Sequence, residues 1–151
     1  PIEKPKLAAS TSGLEAEHLD QAPILDSYAF QAHGKVQGSR TYKDGTHYRL
    51  FKDHRDQQTT GVEPAWKKFV TVNPQGIQAI ESVIRDQVLN YEQPSREGLP
   101  STGAGHIIWV VYLENEERVI ETSSGSYNAL PPWVRALDEA VTQNLVPRSA
   151  Q

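Results

Sequence analysis

The feature that most constrains this chain is the run Ile107-Ile108-Trp109-Val110-Val111-Tyr112-Leu113. Seven consecutive apolar or aromatic residues, several of them β-branched, are too few to span a membrane and suit a strand covered on both faces. They predict the centre of a sheet. After a Glu-Asn-Glu-Glu turn the chain returns as Arg118-Val119-Ile120-Glu121-Thr122. A two-residue turn at Asn115-Glu116 would set Val111 against Ile120 and Tyr112 against Val119, cross-strand pairs that pin the register.

Other strands announce themselves upstream. In residues 27 to 33, Tyr28, Phe30 and Ala32 alternate with Ala29, Gln31 and His33, the period of a half-buried strand. Asp44-Gly45, flanked by strand formers, predicts a hairpin whose second arm covers residues 48 to 51. In a two-residue register Arg40 would face Arg49, a mildly unfavourable pair that argues for a frayed or shifted first arm. Residues 66 to 72 are apolar enough for a further strand.

Asn73-Pro74 is a helix start: the Asn side chain accepts a backbone N–H, and proline at the first helical position loses no hydrogen bond. Ile77, Ile80, Ile84, Val88 and Tyr91 then recur at helical spacing, predicting a helix over 74 to 91. Pro131-Pro132 opens a second, over 131 to 145, with Val134, Leu137, Val141 and Leu145 along one side. The expected fold class is α+β, two-layered, with an antiparallel-rich sheet covered by two helices in the order ββαββα. The expected organisation is a flexible leader or linker at 1–22, a single domain at 23–146 and a flexible tail at 147–151.

Composition narrows the function classes. A net charge of −4 disfavours nucleic acid as a partner, because phosphate binding needs a basic surface. The chain has no cysteine, which excludes disulfides, thiolate metal sites and cysteine nucleophiles. It begins at Pro1 with a polar, proline-bearing stretch like the spacer that follows a removed signal or anchor, so an extracytoplasmic location (periplasmic, surface-anchored or secreted) is expected.

No motif carries chemistry by itself. Asp53-His54-Arg55-Asp56 mixes carboxylates and imidazole, but neighbours on an extended loop point apart and the Arg opposes a cation. Ser101-Thr102-Gly103-Ala104-Gly105 leads into a strand and lacks the helix N-terminus and Lys of a phosphate cradle. The five histidines, at 18, 33, 47, 54 and 106, show no metal-binding spacing, although His47 and His106 could meet in space. No catalytic residue, metal or cofactor is therefore assigned.

The expectation is a non-enzymatic domain that binds another protein, such as an envelope accessory, inhibitor or immunity-like module. Two irregular connections, 52 to 65 and 92 to 105, each lead into a strand and would gather at one end of the sheet if those strands run parallel. Trp66 and Tyr91 would then anchor a partner within a rim of Arg55, Glu63, Arg96 and Glu97. The alternative is a small-ligand-binding domain or a hydrolase with its site assembled from separate loops, for which His47, Asp53, His54 and His106 are the first suspects. Trp109, in the apolar strand, is expected in the core; Trp109→Ala should destabilise by about 3–5 kcal/mol, read from urea unfolding, as aromatic truncations in cores do.

Overall fold

The computed structural model describes residues 2–31, 34–53, 63–95, 105–123 and 130–147. The strands are β1 (Leu25–Phe30), β2 (Lys35–Thr41), β3 (Thr46–Asp53), β4 (Lys67–Thr71), β5 (His106–Leu113) and β6 (Glu116–Ser123). They form one sheet in the order β4-β3-β2-β1-β5-β6, with every neighbouring pair antiparallel. With its helices this is the α+β class expected, although four strands precede the first long helix. The apolar strand β5 is buried among its neighbours but lies next to the edge strand, and β2 and β1 hold the centre. Those central strands carry Ser27, Gly38 and Ser39, so they lack the apolar runs by which a central strand is recognised in sequence.

Turn chemistry sets both hairpin registers one step away from expectation. Glu114 and Asn115 take φ of 52° and 67°, so the turn sits one residue earlier and pairs Val110 with Val119 and Trp109 with Ile120. At the other hairpin the loop has three residues, Lys43 to Gly45, with Tyr42 N–H donating to the Thr46 carbonyl at 3.0 Å. Gly45 has φ of 95°, and a Cβ there would lie 2.1 Å from the Val72 carbonyl, so only glycine fits. This loop pairs Arg40 with Tyr48 and Ser39 with Arg49, removing the Arg–Arg clash by sending the two arginines to opposite faces.

One face is packed by helices. Asn73 caps α2 (Pro74–Val83), its side chain accepting from Gly76 N–H at 2.9 Å. A wide turn over Ile84–Val88 keeps Val88 on the buried side, and the chain leaves the helix earlier than residue 91. Arg118 on β6 caps this end by donating to the carbonyls of Val88, Leu89 and Tyr91. The last helix, α3 (Pro132–Thr142), packs against α2, where Gly76 lets the helices approach: a Cβ there would meet Val72 at 2.4 Å and Asn144 at 2.6 Å. Beneath them lie Leu25, Trp109, Val111, Leu113 and Ile120. Trp109 is buried, its indole N–H donating to Thr122 Oγ1 at 2.9 Å. Among the described residues no helix is long and apolar enough to cross a membrane.

The other face is covered by the segment expected to be a flexible leader. A short turn at Lys6–Ala9 and a single turn of helix, α1 (Ala16–Leu19), lie on Tyr28, Tyr42, Tyr48, Leu50 and Trp66. Trp66 N–H donates to the Ser12 carbonyl at 2.8 Å and its indole N–H to the Ser10 carbonyl at 2.9 Å. His18 is buried, with Nδ1 2.6 Å from the Tyr48 hydroxyl and Nε2 2.8 Å from Asp44 Oδ2. The leader's hydrophobic content is too sparse for a periodic signal, yet its backbone carbonyls and one histidine satisfy polar groups on the sheet. That is why the sequence does not disclose its docking.

Beneath the leader, Arg40 donates to Asp26 through Nε at 2.9 Å and Nη2 at 2.8 Å, and both residues are buried. Removing one member of such a pair leaves a desolvated charge. Arg40→Met should therefore cost about 3–5 kcal/mol, while the double variant Arg40→Met/Asp26→Leu should recover most of it. Urea unfolding of the three proteins checks this.

Candidate functional site

Two helices packed side by side, each about 10 Å wide, cover about four strands spaced about 4.8 Å apart. This sheet has six. The apolar cluster under α2 and α3 draws its sheet residues from β1, β5 and β6. Beyond α3, the same face of β2 and β3 bears Ser39, Thr41, His47 and Arg49, and a groove of about 390 Å³ opens between them and the helix. Its apolar wall is formed by Leu130, Val134, Leu137 and Val141, with Trp109 and Leu25 at the inner end and Asp138 and Thr142 also lining it.

The local fold explains the position of each polar side chain. Odd-numbered residues of β3 point to the helix side, which brings His47 and Arg49 into the groove and Phe51 beside it. A bulge at His47/Tyr48, where β3 meets β4, adds Phe69 as an extra residue and brings its ring under the Arg49 guanidinium, 3.7 Å from the ring centre. Ser27 and Ser39 hydroxyls are 2.6 Å apart, and Thr41 Oγ1 is 2.8 Å from His47 Nδ1. Arg49 Nε is buried and has no hydrogen-bond partner among the described residues.

His47 is held neutral at pH 7. Burial, followed by the positive charge of Arg49, pushes its pKa down to about 4 from the ordinary 6.5. The floor of the groove thus presents one permanent cation, one neutral imidazole and the hydroxyls of Ser27, Ser39 and Thr41 beside an aliphatic wall. Such a floor can orient a ligand that has both polar and apolar parts.

The residues expected to form a partner site are not brought together. Trp66 is only 1% exposed and lies on the leader side, whereas Tyr91 is half-buried on the helix side against Trp133, with ring centres 5.4 Å apart. Glu63 is exposed ahead of β4; Arg55, Arg96 and Glu97 lie outside the described residues. The strands following the two irregular connections, β4 and β5, do run parallel, but three strands stand between them.

The hydrolase suspects separate as well. His47 faces the helices, while His106 stacks on Phe30 on the leader side, with ring centres 5.0 Å apart. The two do not meet. His54 and the Asp53 side chain lie outside the described residues. Glu15, Glu17 and His18 have oxygen and nitrogen atoms within 4.8 Å of one another, but both His18 nitrogens are engaged and Glu15 is paired with Lys68. That cluster fastens the leader to the sheet.

The chain matches no protein-family model and no curated protein sequence. The groove therefore stands on its geometry. Sequence reasoning passed over Ser27, Ser39, Arg49 and Phe69. The one available signal was the apparent Arg40–Arg49 clash, which points to a register that separates the two cations.

The depressed pKa of His47 has a consequence for stability. On unfolding, the imidazole regains its ordinary affinity for protons, so its contribution is intact above pH 6.5 and is lost as pH falls from 6.5 towards 4, by up to about 1.4 kcal/mol per pH unit. In calorimetry at stepped pH, His47→Gln should show a smaller fall in Tm than the wild type across that window.

Proposed function

We propose that this protein is a non-enzymatic binding domain that holds a small amphiphilic molecule in the groove beside α3. The observation that carries this reading is a groove of about 390 Å³ with an aliphatic wall and, on its floor, a buried Arg49 Nε that has no hydrogen-bond partner among the described residues. Its size lies in the range of small-ligand sites, which combine apolar linings with a few placed polar groups. A catalytic reading has less support, because His47 and His106, two of the residues that suggested one, occupy opposite faces.

Recognition of another protein, the function expected first from the sequence, draws support from the same side of the sheet. Phe51 is 65% exposed and Phe69 50% exposed, and both flank the groove floor. Trp66, the aromatic anchor favoured by the sequence, is committed to the core. An extracytoplasmic location forms no part of this proposal: the proline-bearing opening that suggested a spacer contributes to the cover of the sheet.

Thr142 is exposed at the groove, so Thr142→Trp should obstruct it with little effect on folding. After incubation with a small-molecule extract of the native host, native mass spectrometry should find a bound compound on the wild type and none on Thr142→Trp, with Tm values alike. Equal retention by both proteins would rule out the groove as the site.

A further inference from the structure

Resting on the groove reading, we infer that the ligand is an amphiphilic monocarboxylate, with its head group on Arg49 and the Ser27 and Ser39 hydroxyls and its hydrocarbon body directed towards Trp109 beneath α3. The strand registers carry this inference. Arg49 is paired with Ser39, Ser39 with Ser27, and Ser27 with Trp109, so these four side chains form one row across β3, β2, β1 and β5. With strands about 4.8 Å apart, the row runs from cation through two hydroxyls to indole over about 14 Å. The adjacent row repeats the gradient: His47, Thr41, Leu25 and Val111 run from imidazole through hydroxyl to aliphatic side chains. A molecule lying across the strands with one polar end matches both rows.

The charge of the head group follows from the same residues. Arg49 makes no ion pair with a carboxylate among the described residues, and its planar fork suits two carboxylate oxygens. His47 is neutral and supplies no second positive charge. A single cation on the floor favours a singly charged head over a dianion. The apolar residues of α3, Val134, Leu137 and Val141, extend along the groove where a chain or ring would lie.

The test uses octanoate and octanol as probes on the intact chain. Titrations followed by backbone amide shifts should map octanoate to Ser27, Ser39, Arg49, Val134 and Leu137. It should bind at least about tenfold more tightly than octanol, the size of effect expected for hydrogen bonds to a charged group. Added salt should weaken octanoate and leave octanol unchanged. Arg49→Gln should abolish the preference while octanol binding persists. The wild-type comparison and salt series decide the matter even if that variant folds poorly. If octanoate and octanol bind the groove alike, the carboxylate assignment is overturned and the groove reading stands. If neither perturbs groove amides, both are overturned.

Discussion

The structure depends first on one buried ion pair. Asp26 and Arg40 face each other across β1 and β2, 0% and 5% exposed, and such burial is unfavourable unless nearly every donor and acceptor is satisfied. Here the Tyr28 hydroxyl donates to Asp26 Oδ2 at 2.6 Å, and Arg40 Nη2 donates to the Ala8 carbonyl at 2.7 Å. Trp66 supplies a ring 4.6 Å from the guanidinium. The pair therefore ties together two central strands, the approach to β4 and the N-terminal segment. Removing the leader would return Arg40 to incomplete hydrogen bonding, so the leader belongs to the electrostatics of the core as much as to its packing.

That arrangement divides the sheet into two unlike faces. On the leader side the buried residues are largely aromatic and hydrogen-bonded: Tyr28, Tyr42, Tyr48, Trp66 and His18, with His18 stacked 4.1 Å from Tyr42. Their polar tips are satisfied by the Asp26 and Asp44 carboxylates, by backbone carbonyls and by one another, so a thin covering segment is enough. On the helix side the cover is thicker and aliphatic, and it ends before the sheet does. The groove is what remains when two helices meet a sheet too wide for them, and polar residues of β2 and β3 form its floor.

One loop decides which face Arg49 takes, and so whether the groove has a cation. Three residues at 43–45, closed by Gly45 at positive φ, offset β3 by one position relative to a two-residue turn. Because side chains alternate along a strand, that single step puts Arg49 on the face opposite Arg40, beside Ser39. The bulge that leaves Phe69 as the extra residue of β4 then gives Arg49 an aromatic support.

Local pattern was enough for much of the fold. The Asn73 cap, the Ile77-Ile80-Ile84-Val88 spacing, the Pro131-Pro132 start and the apolar run at 107–113 each express a preference that a short segment satisfies by itself, and together they specify an α+β chain with two helices on one face. Registers, strand order and the site lay beyond that reach. Whether a turn holds two residues or three depends on how Gly45 meets Val72. Trp66 and His18 are buried by a segment with little hydrophobic signal, and Arg49 becomes a groove cation only through pairing with strands on either side. Nearest-neighbour preferences are written in the sequence; the tertiary structure decides which distant backbone carbonyls and side chains satisfy a buried charge, because that requires groups far apart in the chain to meet.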